Sequence, residues 1–154
     1  MAPDAPDSLT RSIRIAARPE TIYAFFTDPA KMVKWHGIEA DLDPRPGGVY
    51  YVNVTGGHRS RGRYVELVPY RRIVFTWGWE QEPDVVPPGS TTVEITLTPD
   101  GDETIVRLTH RGLRADRRDS HGEGWTHYLD RLALAAAGKE PGPDPWVAPE
   151  AAGR

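Results

Sequence analysis

The sequence predicts an α+β domain in which a curved antiparallel sheet is closed over by one long C-terminal helix. Three observations carry this expectation. Gly 15 and Pro 15 among 154 residues supply turns at short intervals, so strands joined by tight connections should dominate. From Ile38 to His110 the chain reads as a succession of strand-length runs, several with apolar and polar residues in alternation. Near the C-terminus the period changes: Trp125, Tyr128, Leu129, Leu132 and Ala136 fall at i, i+3, i+4, i+7 and i+11, one apolar stripe of a helix.

Taken in order, Leu9 to Ile15 alternates apolar and polar residues and reads as a first strand. Pro19 suits a first helical turn, and Ile22, Tyr23, Phe25 and Phe26 follow at helical spacing until Asp28-Pro29 ends the run. A second short helix is expected from Ala30 to Trp35, before Gly37. Strands are then expected at Ile38 to Leu42, Val49 to Val54, His58 to Val68, Arg72 to Glu80, Thr91 to Thr98 and Thr104 to His110. The connections Pro44 to Gly48, Gly56-Gly57, Pro69-Tyr70, Pro87-Pro88-Gly89 and Pro99 to Asp102 carry turn chemistry and are short, which implies antiparallel neighbours. The last helix is expected to begin near Gly122 and to stop at Gly138, a length of about 16 residues.

A chain of this length suits one domain. The expected limits are a disordered N-terminal segment over 1–8, a domain over 9–138 and a proline-rich tail over 139–154. Pro141, Pro143 and Pro145 keep the tail from being helical, so Trp146 is either an anchor packed back onto the domain or an exposed end. A net charge of −3 with interspersed signs leaves no footprint for nucleic acid, and no apolar run is long enough to span a membrane. The opening residues lack the basic and apolar regions of a signal peptide, and a cytoplasmic location is expected.

Several chemistries are excluded by what the chain lacks. Without cysteine there are no disulfides, thiolate metal sites or cysteine nucleophiles. His36, His58, His110, His121 and His127 have no ligand-pair spacing, so no metal is expected, and no cofactor either. No G-x-S-x-G or phosphate-cradling glycine pattern occurs. Arg59, Arg61 and Arg63 alternate on a strand and read as a solvated face that discourages edge pairing.

The strongest pointer to a site is aromatic. Alternation along Ile73 to Trp79 puts Ile73, Phe75, Trp77 and Trp79 on one face of a strand, and His110 shares a face with Val106 and Leu108. The helix stripe is their natural cover. Such residues can simply fill a core, yet Tyr51, Trp77, Trp79, Trp125 and Tyr128 carry polar tips that need partners when buried, as a semi-polar cavity provides. The candidate wall is therefore Trp77, Trp79, His110, Trp125, Tyr128, Leu129 and Leu132, with Trp35 to Gly37 near one entrance where the chain turns from helix into sheet.

With these residues laid out, the chain resembles the helix-grip fold of the START-like (SRPBCC) superfamily. The stretches Asp28 to Gly37, Asp43 to Tyr50 and Val74 to Glu80 resemble the branch named after the activator of heat-shock protein 90 ATPase, as do Gly124-Trp125, Tyr128-Leu129 and Pro141 to Trp146. The resemblance runs from about Leu9 to Trp146. It implies a cavity between sheet and helix, and relatives that act as cyclases add Tyr51, Asn53, His110 and Tyr128 as polar candidates. The eukaryotic co-chaperone of that branch has a further N-terminal domain with no counterpart in this sequence, so chaperone activation is not expected.

The expected function is binding of a small hydrophobic or aromatic molecule without metal or cofactor. Two alternatives use the same fold: a cyclase-like or hydrolase-like reaction in the cavity, and a protein-interaction module, including a homodimer.

Overall fold

The computed structural model describes residues 8–147. The expected N-terminal segment, except Ser8, and the end of the tail lie outside them. Ten elements follow in the order β1 (Leu9–Ile15), α1 (Pro19–Thr27), α2 (Pro29–Met32), β2 (Glu39–Leu42), β3 (Val49–Asn53), β4 (Arg59–Val68), β5 (Arg72–Trp77), β6 (Thr91–Asp100), β7 (Glu103–Arg111) and α3 (Ala115–Ala136).

The strands make one seven-stranded sheet in the order β1-β7-β6-β5-β4-β3-β2, antiparallel throughout. From β2 to β7 it is a meander, as the short turn segments require. The link from β1 to β2 is the longest and carries α1 and α2, and the link from β5 to β6 is also extended. Register places inward residues in rows across the sheet: Phe75 opposite Val93, Val93 opposite His110, and His110 opposite Leu9. The core lies between that face and α1 and α3, with Ile73, Val93, Ile95, Val106, Leu108 and Leu132 almost fully buried.

Two aromatic side chains tie α1 and the segment after α2 into the core. The indole N–H of Trp35 donates to the Phe25 carbonyl at 3.0 Å, and the Tyr64 hydroxyl donates to the Phe26 carbonyl at 2.8 Å. Pro29 opens α2 and Asp28 caps it by accepting from the Ala30 amide at 2.9 Å.

Beyond shifts of one or two residues, element boundaries depart from expectation at three points. The helix α2 ends at Met32 rather than Trp35, and single turns bonded to the Met32 carbonyl carry the chain through His36. Strand β5 ends at Trp77, and Trp79 is held by a lone bridge to Ser60. The break comes at Gly78, where a Cβ would stand 1.8 Å from the Pro87 carbonyl oxygen, so the segment after β5 folds back onto the strand. Helix α3 has 22 residues and starts at Ala115, not near Gly122. Its first two turns are polar and carry no apolar stripe, which is why periodicity did not reveal them.

Candidate functional site

A cavity of about 360 Å³ opens at one end of the molecule. It lies beside the C-terminal end of β5 and under the first half of α3, between the β3–β4 turn and the returning tail. Trp77 and Trp79 form one wall. The opposite wall is a helical stripe of α3: Arg117, Ser120, His121, Gly124, Trp125 and Tyr128 recur at three- and four-residue steps. Val54, Thr55 and His58 come from the turn, His36 from the link after α2, Glu82 from the 78–89 segment and Trp146 from the tail.

The rings contact one another closely. Trp77 lies edge-on to Trp79 at 4.4 Å and to His110 at 4.9 Å. His36 lies 4.5 Å from Tyr128 and 5.6 Å from Trp125 between ring centroids.

Hydrogen bonds determine the state of two histidines. An indole N–H can only donate, and a backbone carbonyl can only accept. Trp125 donates to His110 Nδ1 at 3.0 Å, so that ring carries its proton on Nε2 and gives it to Thr91 Oγ1 at 2.8 Å. The Thr91 hydroxyl in turn donates to the Trp77 carbonyl at 2.7 Å. Trp79 donates to His121 Nε2 at 3.1 Å, and His121 Nδ1–H donates to the Arg117 carbonyl at 2.8 Å. Both rings are thus neutral with both nitrogens committed.

Burial acts in the same direction. It pulls His110 well below the usual imidazole value, with the neighbouring His121 adding to the effect. It also lowers His121, against the opposing bond to the Arg117 carbonyl. His36, fully enclosed, is pushed down to about 3, chiefly by burial, which the more distant Asp144 only partly opposes.

Two buried polar atoms of the wall have no hydrogen-bond partner among the described residues: Trp77 Nε1 and His36 Nδ1. At the rim Arg117 pairs with Glu82 at 3.1 Å. On the other side the tail is anchored by Asp144, whose carboxylate accepts from Tyr128 at 2.6 Å, His127 at 2.9 Å and the Trp146 amide at 3.0 Å. Burial raises the Asp144 carboxyl, but the bonds from Tyr128, Trp146 and His127 together outweigh it and hold the group below its ordinary value. Trp146 stacks on His127 at 3.9 Å and remains half exposed at the cavity mouth.

Among the residues singled out from sequence, Trp77, Trp79, Trp125 and Tyr128 come together on the cavity wall. His110 does not reach it: the ring is fully buried behind Trp77 and Trp125 and acts as their hydrogen-bonding support. Leu129 and Leu132 are in the core cluster, away from the cavity lining. Trp35 is also buried, one layer behind His36, whose ring it stacks on at 5.0 Å. Tyr51 and Asn53 alternate with the inward Tyr50 and Val52, so both belong to the other face of β3. Tyr51 lies under the Arg61 guanidinium at 4.6 Å, and the Asn53 side chain accepts from the Gly56 amide at 2.9 Å within the turn.

His36 lies on the wall within the segment expected at an entrance, and the lining residues not anticipated are Val54, Thr55, His58, Glu82, Arg117, Ser120, His121, Gly124 and Trp146. The one sequence signal for the helical members is that Arg117, His121, Trp125 and Tyr128 share a stripe, visible only once the polar turns are taken as helix. Among the described residues no group of three or more His, Asp or Glu could hold a metal ion. No helix there is long and apolar enough to cross a membrane.

Comparison with known proteins gives this arrangement a family. The family model described as Activator of Hsp90 ATPase homolog 1-like protein matches residues 16–137. The chain belongs to that family. Among curated relatives it is 26% identical over 110 residues to the human Activator of 90 kDa heat shock protein ATPase homolog 1, covering 71% of this chain and 31% of that protein. It therefore spans about a third of the length of the curated relatives it matches. An AHSA1-like protein from Rhizobium etli has a solution structure that is 46% identical, with TM-score 0.72, covering 92% of this chain and 88% of that one. A protein from Chromobacterium violaceum has a crystal structure with TM-score 0.76 at 26% identity, covering 91% of this chain and all 100% of that one. The seven-stranded sheet with a long helix across it is the helix-grip arrangement shared with these neighbours.

Proposed function

We propose that this member of the family binds a small hydrophobic or aromatic molecule in the cavity between the sheet and α3. The observation that supports the reading is an open space of about 360 Å³ walled by Trp77, Trp79, Trp125 and Tyr128 beside the hydrophobic core. A volume at the lower end of ligand pockets with an aromatic lining suits a molecule of one or two fused rings. Binding is favoured over catalysis because the lining ring of His121 has both nitrogens engaged and burial pushes His36 down to about 3, which makes it a weak base.

Native mass spectrometry of freshly purified protein tests the reading. A noncovalent adduct of small-molecule mass is expected, and Gly124→Trp should remove it, because a Cβ at Gly124 meets nothing within 4 Å and the added ring enters the cavity. A bare mass together with no uptake of neutral hydrophobic fluorophores would refute it.

A further inference from the structure

Between the end of α3 and Asp144 the chain is nearly free of attachments. The amides of Gly138 and Lys139 bond back to the Ala135 and Leu134 carbonyls and finish the helix. From Glu140 to Pro143 no hydrogen bond or ion pair joins the chain to the rest of the domain among the described residues. A second space of about 360 Å³ lies between this stretch and Val33, Lys34 and Arg131, so the chain bridges a gap there instead of packing on the core. Gly138 and Gly142, at φ +83° and +79°, bracket the bridge in a conformation that only glycine adopts without steric cost, and a Cβ at either meets nothing within 4 Å.

Past Gly142 the attachment is concentrated on one residue. Both carboxylate oxygens of Asp144 are used: Oδ2 accepts from Tyr128, and Oδ1 accepts from His127 and from the Trp146 amide. The turn so formed fixes the Trp146 ring, which stacks on His127 and meets Tyr128 edge-on at 5.7 Å. Trp146 lines the cavity yet is 47% exposed, so it stands between the cavity and solvent. The attachment is built on the cavity wall itself, because Tyr128 both lines the cavity and donates to Asp144. Charge-assisted bonds that share one carboxylate form and break together, and glycines at either end of an unattached bridge can absorb the backbone rotation.

We propose that residues 139–147 form a latch across the cavity mouth, hinged at Gly138 and Gly142 and caught by Asp144, whose opening sets the rate at which a ligand enters and leaves. This rests on the ligand-binding reading above and adds to it the control of access. Closed, Trp146 covers the mouth and completes the wall. Open, it swings away with the Asp144 turn and leaves Tyr128 and His127 free of the carboxylate.

Stopped-flow mixing of the full chain with N-phenyl-1-naphthylamine, a neutral fluorophore that brightens in apolar surroundings, tests the latch. In the parent protein the observed association rate should level off as probe concentration rises, because entry waits for opening. In Asp144→Asn, and separately in Trp146→Ala, entry and release should both quicken by at least about ten-fold. Trp146 is half exposed, so Trp146→Ala keeps the test decisive even if Asp144→Asn unfolds. A parent rate that stays linear in probe concentration, or unchanged association in either folded variant, overturns the latch. Faster release with unchanged entry overturns it too, since Trp146 would then be a wall contact only. Each of these results leaves ligand binding standing, because the probe still binds. No binding of the probe to any of the three proteins overturns both.

Discussion

Two glycines on the same helix should respond in opposite ways to the same substitution. Gly122 and Gly124 both lie inside α3, where replacing glycine by alanine is worth about 0.8 to 1 kcal/mol in intrinsic propensity. At Gly124 a Cβ meets nothing within 4 Å because it points into the cavity. Gly124→Ala should therefore realise nearly the whole gain, raising the melting temperature by roughly 2 to 4 °C for a domain of this size. At Gly122 a Cβ would stand 2.3 Å from Nη2 of Arg11, which crosses the helix from β1 and donates through Nε to Thr126 at 3.1 Å. The end of a flexible side chain can move, but that hydrogen bond is weakened or lost. Its loss costs about 0.5 to 1.5 kcal/mol and cancels the propensity gain, so Gly122→Ala should be close to neutral. Urea unfolding of both variants beside the parent, read by far-ultraviolet circular dichroism, measures the pair. A destabilised Gly124→Ala would mean that the position is not open, and with it the cavity wall drawn on α3 would be wrong.

Acid should weaken the fold well above the range of ordinary carboxylates. His36, His110 and His121 are all lowered by burial, so below pH 6.5 the unfolded chain takes up protons that the folded chain refuses. Stability is fully present above 6.5 and falls as pH drops towards the folded value; for His36 alone, from 6.5 to about 3, this amounts to about 5 kcal/mol. A denaturant midpoint that stays flat from pH 6.5 to 4.5 would contradict this. Asp144→Asn should release the tail at a cost of about 1 to 3 kcal/mol, seen as rapid hydrogen exchange over 139–147 and a red-shifted Trp146 emission. Unchanged exchange there would show that Asp144 is not the anchor. Because the Asp144 carboxyl is held below 3.8, the same release in the parent protein should come only as pH falls below that value. Thr91→Val leaves the His110 Nε2–H buried without an acceptor and should lower stability by about 1 to 3 kcal/mol, whereas Thr91→Ser should retain most of it. Equal losses in chemical denaturation would show that the hydroxyl is dispensable.

The fold was largely legible because its signals are local. Alternation along Leu9 to Ile15 and Thr91 to Thr98 is enough for strands, and the stripe from Trp125 to Ala136 is enough for a helix. The site was legible only in its aromatic half. Trp77 stands on a strand face with Trp79 just past the strand's end, Trp125 and Tyr128 stand on a helix stripe, and the strand and helix patterns follow from backbone geometry. Tyr51 and Asn53 show the limit of that rule: parity along β3 could have excluded them once Tyr50 and Val52 were taken as inward.

Residue order by itself determined the run of strands, the helix that closes them and the family to which they belong, since side-chain period and turn chemistry act over a few residues. Which aromatics stay open and which are packed shut was decided only by tertiary closure. His110 shares a strand face with core residues yet lies behind Trp77 and Trp125, while the polar Arg117 and His121 face the cavity. His36, the 78–89 segment and the Asp144-anchored tail reach the same space from points far apart in the chain. Hydrogen-bond complementarity between such groups depends on distances across the fold, and no local pattern encodes those.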